Sequence, residues 1–286
     1  MTLRELGLAL RRALAEAGVE ASALEARLLL AKAAGMTPEA LLASPHCEAS
    51  PDAAETAEAL LRRRLAGEPV AYLLGSADFY GMRFTVTPDV LIPRSDTETL
   101  VAAALARTET AAPRVLDLGA GSGCVGCAIA AALPRSRAVL ADNSPAALGV
   151  AWENVRRLGL AGRVTCVELD MLRPPAPELG SFDLIVSNPP YIRRDEIPAL
   201  DASVRDHEPR TALDGGADGL DFYRALASLW TPRLRAGWML CEVGEDQADD
   251  VCALLRRAGL TDVGTERDSA GTERVVFGRK QATELR

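Results

Sequence analysis

Leucines at positions 3, 6, 8, 10 and 14 of "LRELGLALRRALAEAGV" recur at helical spacing, with arginine and glutamate between them. They predict an amphipathic helix that stops at Gly18. "SALEARLLLAKAAG" repeats the pattern, with Ser22 as the expected N-cap, Glu25 completing a capping box and Gly35 as the stop. "TPEALLAS" and "SPDAAETAEALLRRRLAG" each put Pro directly after Thr or Ser, which suits an N-cap and first turn. Residues 1–72 therefore read as a small helical domain. Residues 73–95, rich in aromatic, β-branched and turn-forming positions, read as a linker with a hairpin at Tyr80-Gly81. From 96 to 286, strand-like runs ("RVLDLG", "RAVLAD", "RVTCVEL", "FDLIVS", "GWMLCEVG") alternate with helical ones such as "CVGCAIAAAL" and "DFYRALASLWTPRL". This predicts an α/β domain with a mostly parallel, doubly wound sheet. "DVGTER" and "TERVVFGR" follow each other with no long helix between them, so an antiparallel edge strand is expected.

Composition changes this picture little. The chain is 48% hydrophobic and 25% charged, ordinary for a globular protein. A net charge of −8 argues against a non-specific grip on phosphates, so no direct nucleic-acid binding is expected. No signal-like or span-length apolar run is present, which points to a cytoplasmic protein without a membrane anchor. The six cysteines are scattered and expected to be reduced thiols. Cys124 and Cys127 form a C-x-x-C on the first turn after a glycine loop. With no second pair for zinc they read as packing residues, and no metal site is expected. A monomer is the expected state.

"RVLDLGAGSGCVG" sets Gly119, Ala120, Gly121, Ser122 and Gly123 between a strand and a helix. Such a loop turns tightly, approaches a ligand closely and opens onto the free N–H groups of a helix start. The acidic Asp117 before it disfavours a pyrophosphate and favours a cationic amino-acid group. Asp142 ends the next strand, where a carboxylate can take both hydroxyls of a ribose. Asp170-Met171 ends the third, where a carboxylate can reach an adenine amine and a thioether can lie on its ring. This ordered set resembles the S-adenosylmethionine site of the Rossmann-like class I methyltransferases.

"SNPPYI" follows the buried run "FDLIV". In an open α/β sheet the ligand crevice lies beyond the carboxyl ends of the strands, so Asn188 is expected to face the transferred methyl. The Asn188 carboxamide oxygen and the Pro189 carbonyl, which precedes another proline without N–H, are two acceptors for the hydrogens of one –NH2 group. Pro190 fixes the bend, and Tyr191 offers a flat face. The target is a planar nitrogen, whose delocalised lone pair makes it a poor nucleophile until its plane is pinned. The motif serves enzymes acting on adenine or guanine amines as well as on a glutamine amide.

The rest of the chain is more specific. "ADFYGMRFTVTPDVLIPRSDTETLV", "DLGAGSG", "SNPPYI", "EPRTALDGGADGLDFYR" and "ERVVFGR", in that order, resemble the protein-(glutamine-N5) methyltransferases of the HemK/PrmC family, which modify peptide chain release factors. The resemblance spans essentially the whole chain. It implies the glutamine of the Gly-Gly-Gln motif of class 1 release factors as substrate, and the helical domain as the docking module. It further implies that Gly119 to Gly123, Asp142, Met171 and Asn188 hold S-adenosylmethionine, that Asn188 to Tyr191 hold the amide, that Phe79 and Arg94 shape the mouth, and that Glu208-Pro209 buttress the site. Met171 stands where an aromatic residue is common. His207, before Glu208, resembles the sister enzymes that methylate a ribosomal-protein glutamine, and that substrate stays open as an alternative, with a nucleic-acid base amine further behind. Glu98 in "IPRSDTE" favours the release-factor branch.

Overall fold

A computed structural model describes residues 1–282, and they fold as two compact units. The first comprises Met1–Ser76 with Asp201–His207. Its helices are α1 (Leu3–Glu16), α2 (Ser22–Ala33), α3 (Pro38–Ala43), α4 (Pro51–Leu65) and α5 (Val70–Leu74), with a short helix at Ala202–Arg205. Thr2 and Glu5 form a reciprocal capping box on α1, and Thr37 and Ser50 cap α3 and α4 with Pro in the first turn. Leu3, Leu6, Leu10 and Leu14 are buried, whereas Leu8 is 54% exposed. Leu8 lies about 200° around the helix from Leu6, which takes it off the apolar stripe. Ser22 is not the cap of α2: that position is Ala21, and no side chain caps the helix. Glu25 is instead buried and pairs with Arg64 of α4 at 2.6 Å.

The second unit comprises Ala77–Leu200 and Glu208–Arg286, of which residues to 282 are described. It opens with a hairpin of β1 (Ser76–Phe79) and β2 (Met82–Thr85). Tyr80 and Gly81 have φ of 49° and 72°, the positive pair that a two-residue hairpin turn requires. Then follow α6 (Glu98–Arg107), β3 (Arg114–Leu118), α7 (Cys124–Ala132), β4 (Arg137–Asp142), α8 (Pro145–Arg157), β5 (Val164–Glu168) and β6 (Phe182–Ser187). With Ala202–Arg205 counted as α9, the chain continues through α10 (Asp221–Ala225), β7 (Leu234–Glu242), α11 (Ala248–Arg257), β8 (Thr261–Arg267) and β9 (Glu273–Lys280). The helix predicted after "GGADGL" is broken: beyond α10 the chain widens into a π turn over Leu226–Trp230 and tightens again at Thr231–Arg233, where Pro232 ends it.

The seven-stranded sheet runs β5-β4-β3-β6-β7-β9-β8. β3 to β7 are mutually parallel, and β9 is antiparallel to both β7 and β8. The antiparallel strand therefore sits one place in from the edge. From β3 the chain first builds outward to β4 and β5, then returns to place β6 on the other flank, so the strand order reverses between β3 and β6. Ligand crevices of open α/β sheets form at such a point. Leu118 is level with Ala141 and Ser187, and Ser187 with Cys241, so β3, β4, β6 and β7 end on one rim.

Candidate active site

The loop after β3 is folded back over β4: the Gly119 and Ala120 amides donate to the Ala141 carbonyl at 2.8 and 3.0 Å. Gly123 has φ 77°, and a Cβ there would lie 2.9 Å from Leu140 Cδ1, so only glycine fits. Asn154 of α8, buried, clamps the loop from behind. Its Nδ2 donates to the Ser122 carbonyl (2.9 Å) and the Thr85 carbonyl (3.0 Å), while its Oδ1 accepts from the Thr85 amide (2.7 Å). Asn154 carried no signal in the sequence, because its partners lie far away along the chain.

Three carboxylates meet the loop or the neighbouring rim. Asp142 accepts from the Gly121 amide and the Ser144 amide, each at 2.9 Å, which fixes its plane and leaves further lone pairs for a ligand. Asp117 is buried and accepts from the Gly126 amide at 2.8 Å. Burial, offset by that hydrogen bond and reinforced by Asp142, pushes its carboxyl up to about 7. Glu242, at the end of β7, is buried, and burial likewise pushes it up to about 7 against hydrogen bonds from Thr97 and Asn188.

Asn188 leaves β6 beside this rim. The Ser187 hydroxyl donates to the Leu118 carbonyl at 2.7 Å, locking the two strand ends together. Asn188 Nδ2 donates to Thr97 Oγ1 at 3.2 Å. The Pro189 carbonyl accepts no hydrogen bond among the described residues and is a free acceptor. The Tyr191 carbonyl accepts from Gln247 Nε2 at 2.9 Å, which holds the bend, and burial pushes the Tyr191 phenol up to about 12.

These segments enclose a cleft with ≈ 930 Å³ of empty space, part of it open to solvent. Of the residues singled out in the sequence for the site, Asp117, Gly119, Ala120, Gly121, Ser122, Asp142, Met171, Asn188, Pro190 and Pro209 line it. Gly123, Pro189 and Tyr191 stand directly beside lining residues without lining it themselves. Phe79 corrects an expectation. It is 1% exposed and packs edge-on against Phe84 with ring centres 6.1 Å apart, so it belongs to the core and not to the mouth. The aromatic lining residue is Phe222. Asp170 is corrected too: β5 ends at Glu168, and Asp170 does not line the cleft, its carboxylate accepting from the Leu172 amide (2.9 Å) and Arg173 (3.2 Å). Leu169 and Met171 on either side of it line the cleft instead, and the Met171 carbonyl is pinned by Trp230 Nε1 at 2.9 Å.

The cleft is thus lined by the carboxylates of Asp117 and Asp142, by the apolar side chains of Val90, Leu91, Leu169 and Met171, and by the Asn188 carboxamide, with the free Pro189 carbonyl next to it along the chain. Arg94 ion-pairs with Glu208, whose side chain is 1% exposed and whose Oε2 has no partner among the described residues. The pair ties together two segments whose neighbours, Pro93 and Pro209, line the cleft. Arg94→Ala would strand the buried charge; we expect a loss of about 2 kcal/mol in chemical denaturation at neutral pH.

Residues 8–75 match the family described as PrmC N-terminal domain, and residues 95–203 the methyltransferase small domain. A release factor glutamine methyltransferase of Geobacter sulfurreducens is 43% identical over 267 residues, covering 93% of this chain and 92% of that protein. Its counterpart from Moorella thermoacetica is 48% identical over 263 residues (91% of each), and that from Caulobacter vibrioides 40% over 286 residues (99% and 98%). Among solved structures, the hMettl16 catalytic domain in complex with a MAT2A 3′UTR hairpin aligns with a TM-score of 0.59 at 17% identity, over 72% of this chain and 78% of that one. At that identity the likeness concerns the fold.

Proposed function

The chain belongs to the release factor glutamine methyltransferases, and from that footing we propose that it methylates the side-chain amide nitrogen of a release-factor glutamine, that of the Gly-Gly-Gln motif, with S-adenosylmethionine as donor. The observation that carries the site reading is the acceptor pair, the Asn188 carboxamide and the free Pro189 carbonyl, beside a glycine-loop cleft at the point where the strand order reverses. The donor set suits the cofactor. Asp117 faces a cationic amino group, Asp142 the ribose hydroxyls, and Leu169 and Met171 the purine. When bound, S-adenosylmethionine supplies a methyl group on a positively charged sulfur.

Asn188 and Pro189 take the two amide hydrogens of the glutamine. This fixes the amide plane, so the nitrogen π density is aimed across the cleft and the positive charge that grows on nitrogen is stabilised. A new C–N bond forms as the methyl leaves its carrier, and the amide proton departs to solvent afterwards. Pro190 and the Gln247 clamp on the Tyr191 carbonyl keep the acceptors in place, and half-buried Tyr191 flanks the amide. The helical unit is proposed to dock the release factor, with residues 73–95 as linker. We take the acting form to be a monomer in the cytoplasm, where a release-factor substrate would be met.

Incubation with labelled S-adenosylmethionine and release factor, ribosomal protein or total RNA tests this reading. Label is expected on the release factor and lost when its glutamine is replaced; label in RNA alone overturns it. Asp142→Ala should weaken cofactor binding about 10-fold by titration calorimetry, the loss of roughly one charge-assisted hydrogen bond, with kcat at saturating cofactor little changed. An unchanged dissociation constant would remove Asp142 from the ribose site.

A further inference from the structure

We propose that Glu242, acting through the Thr97 hydroxyl, is a positioning residue that fixes which end of the Asn188 carboxamide faces the substrate. The inference rests on the role given to Asn188 above. Thr97 occupies the N-cap of α6, where a threonine hydroxyl ordinarily accepts from its own helix, yet it makes no such cap. It accepts instead from Asn188 Nδ2 at 3.2 Å, and Thr97 and Asn188 are the hydrogen-bonding side chains that draw the buried Glu242 carboxyl down against its burial. Glu242 is 3% exposed, and its Oε2 has no partner among the described residues. A buried carboxylate oxygen without a partner is costly and calls for a reason.

The reason lies in donor and acceptor bookkeeping. An ionised carboxylate only accepts. With Glu242 ionised, the Thr97 proton must point to it, leaving only lone pairs for Asn188. Asn188 must then turn its NH2 toward Thr97 and Glu242, and its oxygen toward the cleft. That is the orientation in which Asn188 accepts from the glutamine amide. Protonated Glu242 can itself donate, the Thr97 hydroxyl can turn its proton to Asn188, and the carboxamide is free to flip. A flipped Asn188 presents NH2 to the substrate NH2 and cannot hold it.

The groups that face Glu242 are Asp96 and Arg274, which ion-pair at 3.4 Å, the phenols of Tyr191 and Tyr223, and the thiols of Cys124 and Cys241. Burial pushes the phenols and thiols upward, away from neutrality. Asp117 titrates in the same range as Glu242, but its effect falls on cofactor affinity and is removed by saturating cofactor.

The test compares kcat at saturating cofactor between pH 6 and 9, with S-adenosylmethionine and a release factor. The wild type should show an acid limb, losing turnover as pH falls through about 7. Glu242→Gln should be at least about 10-fold slower at pH 8, near-flat with pH and unchanged in cofactor affinity, because an amide can donate or accept and no longer forces the relay. Thr97→Val should also lower turnover, by less than Glu242→Gln because the ionised carboxylate still faces Asn188, and Thr97→Ser should recover turnover relative to Thr97→Val. Independently of turnover, the Asn188 side-chain amide NMR resonances, identified by their loss in Asn188→Ala, should titrate near pH 7 in the wild type and not in Glu242→Gln. Wild-type kcat with an intact acid limb in Glu242→Gln, or pH-invariant Asn188 resonances in the wild type, would overturn the assignment. A wild type that leaves release factor unlabelled would sink the substrate reading alone, and the resonance titration would still decide the role of Glu242.

Discussion

Asn188→Ala is expected to lower kcat by about 10²–10³-fold while leaving the cofactor dissociation constant within about two-fold, the size seen when one preorganised hydrogen-bonding group is removed from a developing charge. The effect is large because an amide nitrogen is nearly non-nucleophilic with its lone pair in conjugation. Catalysis then depends on holding the NH2 group by both hydrogens. Without the Asn188 oxygen, the Pro189 carbonyl alone leaves the amide free to rotate about one hydrogen bond. The loss should fall on kcat because the glutamine is also held by the docking of the protein that carries it. Cofactor affinity should survive because the residues proposed to hold the cofactor lie mainly on the β3 loop, at the β4 end and after β5, none of which Asn188 supports: the Ser187 hydroxyl, not Asn188, ties β6 to Leu118. Single-turnover kinetics with radiolabelled donor, alongside calorimetry, separate the two quantities. A variant with wild-type single-turnover rate removes Asn188 from the mechanism, and one with lost cofactor affinity makes it a cofactor ligand instead.

The fold was legible wherever local pattern decides it. The period change near residue 96, the Ser-Pro and Thr-Pro starts and the glycine loop all act over a few residues, and the strands and helices read from them are present. Legibility failed where a distant partner wins. Glu25 looked like half of a capping box because Ser22 stands three residues before it, but a buried carboxylate gains more from Arg64, 39 positions away, than from its own helix end. The resemblance places Phe79 at the mouth, yet Phe84 across the hairpin draws it into the core. Asp170 looked like an adenine ligand from its place after a strand, but the strand ends two residues earlier and the side chain turns to its own turn, outside the cleft lining. Asn188 and the glycine loop, which line the cleft, could therefore be picked out from the sequence, while the residues behind them (Asn154, Thr97, Glu242) could not. Each of those residues contacts the site across tens of residues of sequence, and no periodicity or motif records that distance.

Asp117→Asn should show opposite effects on stability and on cofactor binding, both dependent on pH. The folded chain raises the Asp117 carboxyl from an ordinary 3.8 to about 7 through burial, so the protonated form is the one folding favours. Its contribution to stability is therefore fully present below about pH 4 and is lost as pH rises through about 7. At pH 8 the free enzyme holds a charged carboxylate out of water, a cost of about 4 kcal/mol for a shift of this size. Asparagine removes the charge yet keeps an oxygen to accept from the Gly126 amide, so the variant should be more stable than the wild type by about that amount at pH 8, and the difference should vanish by about pH 4. The same charge is the group proposed above to meet the cationic amino-acid end of the cofactor. Its removal should weaken S-adenosylmethionine binding by about 10–100-fold at pH 8, the range of a charge-assisted hydrogen bond out of bulk water. The affinity gap should narrow toward pH 6, where the wild-type carboxyl is itself largely protonated. Urea denaturation and calorimetry at pH 8, 6 and 4.5 measure both arms. Lower stability at pH 8 with unchanged affinity would make Asp117 a structural cap on α7, whereas higher stability bought with weaker binding would make it a charge held in strain for the ligand.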